Sequence, residues 1–112
     1  MCKANYNDFL KIEIIVGTIL EVKEKYNLEK PSLHLTIDFG EIIGLKTSSA
    51  QLMVNYNSSD LLNKQIIAVI NLPPKQIGNI FSEVLVLGLL DDNGEAVLVT
   101  PMSKIKNGKR LC

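Results

Sequence analysis

The sequence predicts an all-β fold, a small barrel of five strands, on three observations. Its apolar runs are short and rich in β-branched residues. Gly, Pro and Asn bound those runs at strand-like spacing. Its 112 residues, 46% of them hydrophobic, suffice for one core and are too few for two, so residues 1–112 read as a single domain.

Asn7-Asp8-Phe9-Leu10 reads as a short N-terminal helical turn with Asn7 as its cap. Ile14 to Lys25 is the first strand, and Gly17 inside it suggests a bulge or a tight bend. Residues 26–31 form a loop. Leu33 to Asp38 alternates, placing Leu33, Leu35 and Ile37 on the core face. A third strand is expected over Ile42 to Ser48. Leu52 to Leu62 is polar and reads as a loop with one or two helical turns. Gln65 to Leu72 is a fourth strand, its Ile66–Ile70 run covered on both faces, and Pro73-Pro74 stops it. Glu83 to Leu89 is the fifth. Asp92-Asn93-Gly94-Glu95 predicts a two-residue hairpin turn, with Ala96 to Val99 pairing back as a C-terminal hairpin extension. Five strands, one helical interruption and a late hairpin suit the OB architecture, although periodicity alone does not separate it from other small barrels.

Charge narrows the function. Twelve basic residues balance twelve acidic ones, unlike the strongly basic surplus of a dedicated nucleic-acid binder. The distribution is uneven. The last twelve residues hold Lys104, Lys106, Lys109 and Arg110 and no acid. Arg110 is the sole arginine, so bidentate reading of phosphate or guanine is nearly absent. No run reaches the roughly 20 apolar residues of a membrane span, and no signal peptide is evident, so no membrane insertion and a cytoplasmic location are expected. Cys2 and Cys112 form no disulfide framework. Two thiols and one histidine make a poor metal set. No cofactor or metal is expected.

Catalysis finds little to build on. His34 lies on the polar face of its strand, where a solvated histidine is favoured over a general base, because no nucleophile or orienting acid pairs with it. Residues Asp91 to Glu95 lack the loop of a calcium site and read as a turn. Three segments stand out: Lys46 to Gln51, Asn71 to Gly78, and Phe81-Ser82-Glu83. Neutral donors beside lysines suit sugar–phosphate contacts, and equally suit strand capping and a proline turn.

Read in order, these segments resemble the tRNA-binding domain family. The resemblance runs through Asp8 to Ile12, Gly17 to Ile19, Leu35 to Gly40, Ile43 to Gln51, Leu62 to Val69, Asn71 to Pro74 and Ser82 to Gly88. It is nearest to the free-standing, chaperone-like CsaA branch. The resemblance implies an OB barrel, a homodimer and no enzymatic activity. It also implies two binding activities, toward tRNA and toward unfolded or exported polypeptides.

The family's tRNA contacts, carried onto this chain, fall on Lys46, Ser48, Gln51, Asn71, Lys75 and Ser82; Lys64 joins them as a nearby cation. Gln76, Asn79 and Phe81 stand where that branch has basic residues or a glycine. Two missing phosphate contacts would lower the salt slope by about 0.7–0.9 each. Leu72, Ile77, Ile80 and Phe81 form the alternative peptide-binding patch. Phe9, Leu10, Met102, Ile105 and Leu111 are expected at the dimer interface.

Overall fold

The computed structural model describes residues 2–26, 31–77 and 80–112. Residues 27–30 of the expected first loop, Gly78 and Asn79, and the side chains of Ile77 and Ile80, lie outside the description. The element order is α1 (Tyr6–Leu10), β1 (Ile14–Lys25), β2 (Ser32–Asp38), β3 (Leu45–Ala50), α2 (Ser58–Leu61), β4 (Gln65–Val69), β5 (Lys75–Ile77), β6 (Ile80–Ser82), β7 (Leu85–Val86), β8 (Gly88–Leu90) and β9 (Ala96–Leu98). A curled antiparallel sheet runs β3-β2-β1-β4-β7, accompanied by the hairpins β5–β6 and β8–β9. The amides of Glu83 and Val84 donate to the Thr47 carbonyl at 2.9 and 3.4 Å, so the segment entering β7 ties the two ends of the sheet together. The expected OB-like all-β fold is present.

Alternation builds the core. Leu33, Leu35 and Ile37 of β2 are fully buried, with Ile15 and Ile19 of β1 and Ile66 and Ala68 of β4. Phe39, Leu52, Leu61 and Val84 complete the cluster from the connections.

Several expected boundaries move, each for a local reason. Helix α1 is capped by Asn5 rather than Asn7: Asn5 and Asp8 each accept the other's backbone N–H, a reciprocal capping box. Gly17 is not the bulge. The register of β1 against β2 shifts between Ile19 and Glu21. At Gly17 a Cβ would stand 2.7 Å from Ile37 Cγ2 and 2.8 Å from the Phe39 ring, so the strand lies closer to the core there than any side chain permits. The third strand begins at Leu45, because residues 41–43 form a turn ending at Gly44 (φ +81°). The fourth ends at Val69, three residues before Leu72. The fifth is split into β7 and β8, because Leu87 N–H donates to Ile67 of β4 while its carbonyl takes the N–H of Val99.

The late hairpin is not a two-residue turn. Gly94 N–H donates to the Asp91 carbonyl and Asp91 N–H to the Glu95 carbonyl, with Gly94 at φ +78°, the arrangement of a three-residue loop closed by a glycine bulge. The backbone N–H groups of Glu95 and Asn93 and the Asn55 amide all donate to the Asp91 carboxylate, and they hold its pKa below the usual carboxylate range.

The C-terminal segment has an unforeseen structural job. Strand β2 pairs with β1 only from Thr18 onward. Below that point residues 108–111 take over the same edge of β1: Val16 N–H donates to Lys109, Gly108 N–H to Val16, and Leu111 N–H to Ile14. Gly40 and Gly108 make the crossing possible. Both have positive φ, and a Cβ on either would lie 2.8 Å from a carbonyl oxygen of the other segment. The Arg110 guanidinium donates to the Leu10 and Ile12 carbonyls, fastening the end of α1 to the tail.

Candidate nucleic-acid interface

Strand β3 and hairpin β5–β6 build the candidate site together. In the hairpin register Lys75 stands opposite Ser82 and Gln76 opposite Phe81. The hairpin's second strand lies against β3 through hydroxyls. Thr47 Oγ1 donates to the Phe81 carbonyl at 2.9 Å, and the Ser49 N–H donates to Ser82 Oγ at 3.1 Å. Ser82 Oγ and Ser48 Oγ lie 3.4 Å apart, and each bonds the Val84 carbonyl. These bonds seat the hairpin that carries Lys75, Phe81 and Ser82 on the strand that carries Lys46; within the hairpin Lys75 and Ser82 project from one face and Gln76 and Phe81 from the other. Phe81 is 55% exposed there, although it is aromatic. Such an exposed ring offers a stacking surface for an unpaired base.

The expected residues are not equivalent in place. Ser48 is 2% exposed, and its hydroxyl is spent on Val84, so it fixes the hairpin rather than facing solvent. The amide of Asn71 is engaged at both ends, accepting from Glu13 N–H at 2.9 Å and donating to the Lys11 carbonyl at 2.7 Å. It therefore sets the path of the chain leading into the hairpin. Gln51 is exposed just beyond β3. Lys64 stands apart from this site. It precedes Gln65, at the opposite end of β4 from Asn71, and its carbonyl accepts from Ile19 N–H.

Two residues of the segments singled out in the sequence, Thr47 and Glu83, were given no role there and join the site. Glu83 Oε1 accepts from both the N–H and the hydroxyl of Thr47 at 3.1 and 2.9 Å, while Oε2 lies 3.9 Å from Lys46 Nζ. A carboxylate thus sits beside Lys46 and offsets its charge. Strand periodicity carried a partial signal, since Thr47 and Ser49 share one face and Ser48 the other. The pairing with residue 83 lies 36 positions away and leaves no local trace.

His34 differs from its expected solvated state. Among the described residues neither ring nitrogen has a hydrogen-bond partner, and both are covered. Burial, reinforced by the nearby Lys25 charge, lowers its pKa below the ordinary histidine value. Among the described residues no three potential metal ligands cluster, and no helix is long and apolar enough to cross a membrane.

The apolar residues expected at interfaces lie largely open. Leu72 is exposed beside the hairpin. Phe9 is half-buried, Leu10, Ile105 and Leu111 are exposed, and Met102 is entirely so. Arg110 brings the Leu10 and Leu111 regions together.

Comparison with known proteins follows this geometry. Residues 14–110 match the family described as "Putative tRNA binding domain". Over 106 residues, 95% of this chain, the sequence is 31% identical to the methionine–tRNA ligase of Porphyromonas gingivalis, of whose length the chain spans 15%. The crystal structure of chaperone CsaA from Bacillus anthracis superimposes with a TM-score of 0.92 at 41% identity, covering 99% of this chain and all of that one. The CsaA chaperone protein from Picrophilus torridus gives 0.89 at 49% identity, covering 98% and 100%.

Proposed function

The chain belongs to the tRNA-binding domain family, and from that premise we propose that it is a non-catalytic tRNA-binding protein of the CsaA type, acting in the cytoplasm. What supports the reading is that hydroxyl bonds seat the β5–β6 hairpin, which carries Lys75, Phe81 and Ser82, on β3, which carries Lys46. Lys46 and Lys75 supply point charges to phosphates. Gln51 supplies a neutral donor and acceptor for sugar and base edges, while the Ser82 hydroxyl, engaged with Ser49 N–H and the Val84 carbonyl, helps to seat the hairpin. Phe81 supplies a flat apolar face for a base released from its stack. Ser48 and Asn71 act indirectly, holding the hairpin and the loop that leads into it. Binding is weak and salt-sensitive, because Glu83 offsets Lys46 and Gln76 replaces a cation.

Fluorescence anisotropy with labelled total tRNA in low salt tests the proposal. Saturable binding at micromolar protein is expected, weakened several-fold by Lys75→Gln and by Phe81→Ala. Absence of binding at tens of micromolar protein would overturn it.

A second reading rests on exposure. Phe81 and Leu72 present apolar surface at the same hairpin, and such a patch suits an extended polypeptide. Ile77 and Ile80 belong to that reading by sequence. Suppression of client aggregation at stoichiometric ratio, lost in Phe81→Ala, would favour it.

The chain acts as a homodimer in this reading. Leu10, Met102, Ile105 and Leu111, with the half-buried Phe9, are apolar groups left open on one protomer. Sedimentation of a monomer at micromolar concentration refutes that assembly.

A further inference from the structure

We propose that Lys64, Lys104, Lys106 and Lys109 form a second cationic surface that engages the phosphate backbone of the same bound RNA, beyond Lys46 and Lys75. The inference rests on the tRNA-binding reading above and adds to it a place and a number of phosphate contacts.

The tail that carries these lysines is held rigidly. Gln65 Oε1 accepts from Ile105 N–H at 3.1 Å, and Gln65 Nε2 donates to the Ile105 carbonyl and to Asn107 Oδ1. Thr18 Oγ1 donates to the same Asn107 oxygen at 2.8 Å. Gln65 follows Lys64, and Ile105 lies between Lys104 and Lys106, so this clasp joins the two segments that carry these three lysines. Lys106 and Lys109 in turn line a cleft of about 550 Å³ with Gly40, Glu41, Ile42 and Asn107.

The charges here are uncompensated. Among the described residues none of the four lysines makes an ion pair, whereas Lys46 faces Glu83. Residues 101–112 contain no acid, and Glu41 is the single carboxylate lining the cleft. Arg110 is occupied by the Leu10 and Ile12 carbonyls and is not counted. A chain of zero net charge that gathers exposed lysines on one segment creates a local positive potential, offset along the cleft by Glu41 alone. Lysines without a free arginine suit phosphates, read as point charges, rather than bases.

Continuity favours RNA over another polyanion. The cleft wall, residues 40–43, runs through Gly44 directly into β3 and reaches Lys46 two residues later. Gly44 also accepts from Phe39 N–H at 3.0 Å, which holds that wall against the strand. One backbone can therefore pass from the tail lysines to Lys46.

The salt dependence of tRNA affinity tests the proposal. Lys46 and Lys75 alone give a slope of log K against log salt of about −1.6, and six lysines give about −5, at 0.7–0.9 per phosphate. The wild type is expected near the steeper value. Lys104→Gln/Lys106→Gln/Lys109→Gln should lose about 2.4 from the slope and bind at least tenfold more weakly at 50 mM salt, with its melting temperature unchanged. Lys64→Gln alone should lose about 0.8. A wild type that binds tRNA with a slope unaltered in these variants overturns this proposal and leaves the tRNA reading intact. A wild type that does not bind tRNA removes both. Binding to vesicles of phosphatidylglycerol that falls in the triple variant, with the RNA slope unmoved, also overturns the proposal and assigns the surface to a membrane.

Discussion

Replacing Gly17 with alanine tests how the core sets the path of β1. The added methyl would meet Ile37 Cγ2 at 2.7 Å and two Phe39 ring carbons at 2.8 Å. Neither neighbour can swing into solvent, since Ile37 is 0% and Phe39 1% exposed. Overpacking of this kind costs about 1–3 kcal/mol. Alanine recovers about 0.5–1 kcal/mol of backbone preference over glycine inside a strand. Central values leave a net loss of about 1.3 kcal/mol, which at about 4 °C per kcal/mol lowers the melting temperature by about 5 °C. Thermal unfolding followed by far-ultraviolet circular dichroism measures it. Gly44→Ala is the companion, because Gly44 has φ +81° and open space around its missing Cβ. It carries only the left-handed backbone cost of about 1–2 kcal/mol. The two substitutions part in a background that makes room: Phe39→Leu should soften Gly17→Ala and leave Gly44→Ala untouched. A Gly17→Ala protein as stable as the wild type, or more so, refutes the steric argument.

Two further outcomes follow from groups already placed. His34 has a folded-state pKa below the ordinary value near 6.5, so the unfolded chain binds its proton more readily. Its neutral form therefore contributes fully above about pH 6.5 and stability falls as pH drops below that; His34→Gln should flatten the fall in urea midpoint between pH 7.5 and 5.5. Glu83→Gln keeps an acceptor for Thr47 and removes the charge facing Lys46. It should tighten tRNA binding several-fold and steepen the salt slope by up to about 0.9, and weaker binding at unchanged melting temperature would contradict the role given to Glu83.

What the sequence made legible divides along the range of the interactions. Alternation at Leu33, Leu35 and Ile37 and the apolar run from Ile66 are local patterns; β2 lies where its pattern puts it, and β4 starts where expected but stops at Val69. The Ile42–Ser48 reading failed at its start because residues 41–43 are apolar in part yet turn, and a turn's hydrogen bonds do not show in hydropathy. The β5–β6 hairpin was hidden behind Pro73-Pro74, whose rings end one strand without revealing that another begins at Lys75. At the site, Lys46, Lys75 and Ser82 could be named from family-like segments, but the division of labour could not. Ser48 and Ser49 look alike in sequence; only the closure of the sheet buries one hydroxyl against Val84 and leaves the other's backbone on Ser82. The displacement of Lys64 toward the tail follows from the Gln65–Ile105 clasp, 40 residues apart.

The tail's place along β1 also bears on how the chain is made. Ile14 to Val16 are made before residues 108–111, and the backbone groups on their β2 side have no partner until those residues have been added. An unpaired, largely apolar strand edge is a template for pairing with other chains. That edge therefore stays open until residues 108–111 have folded back along it, and those residues act as a latch that withdraws it.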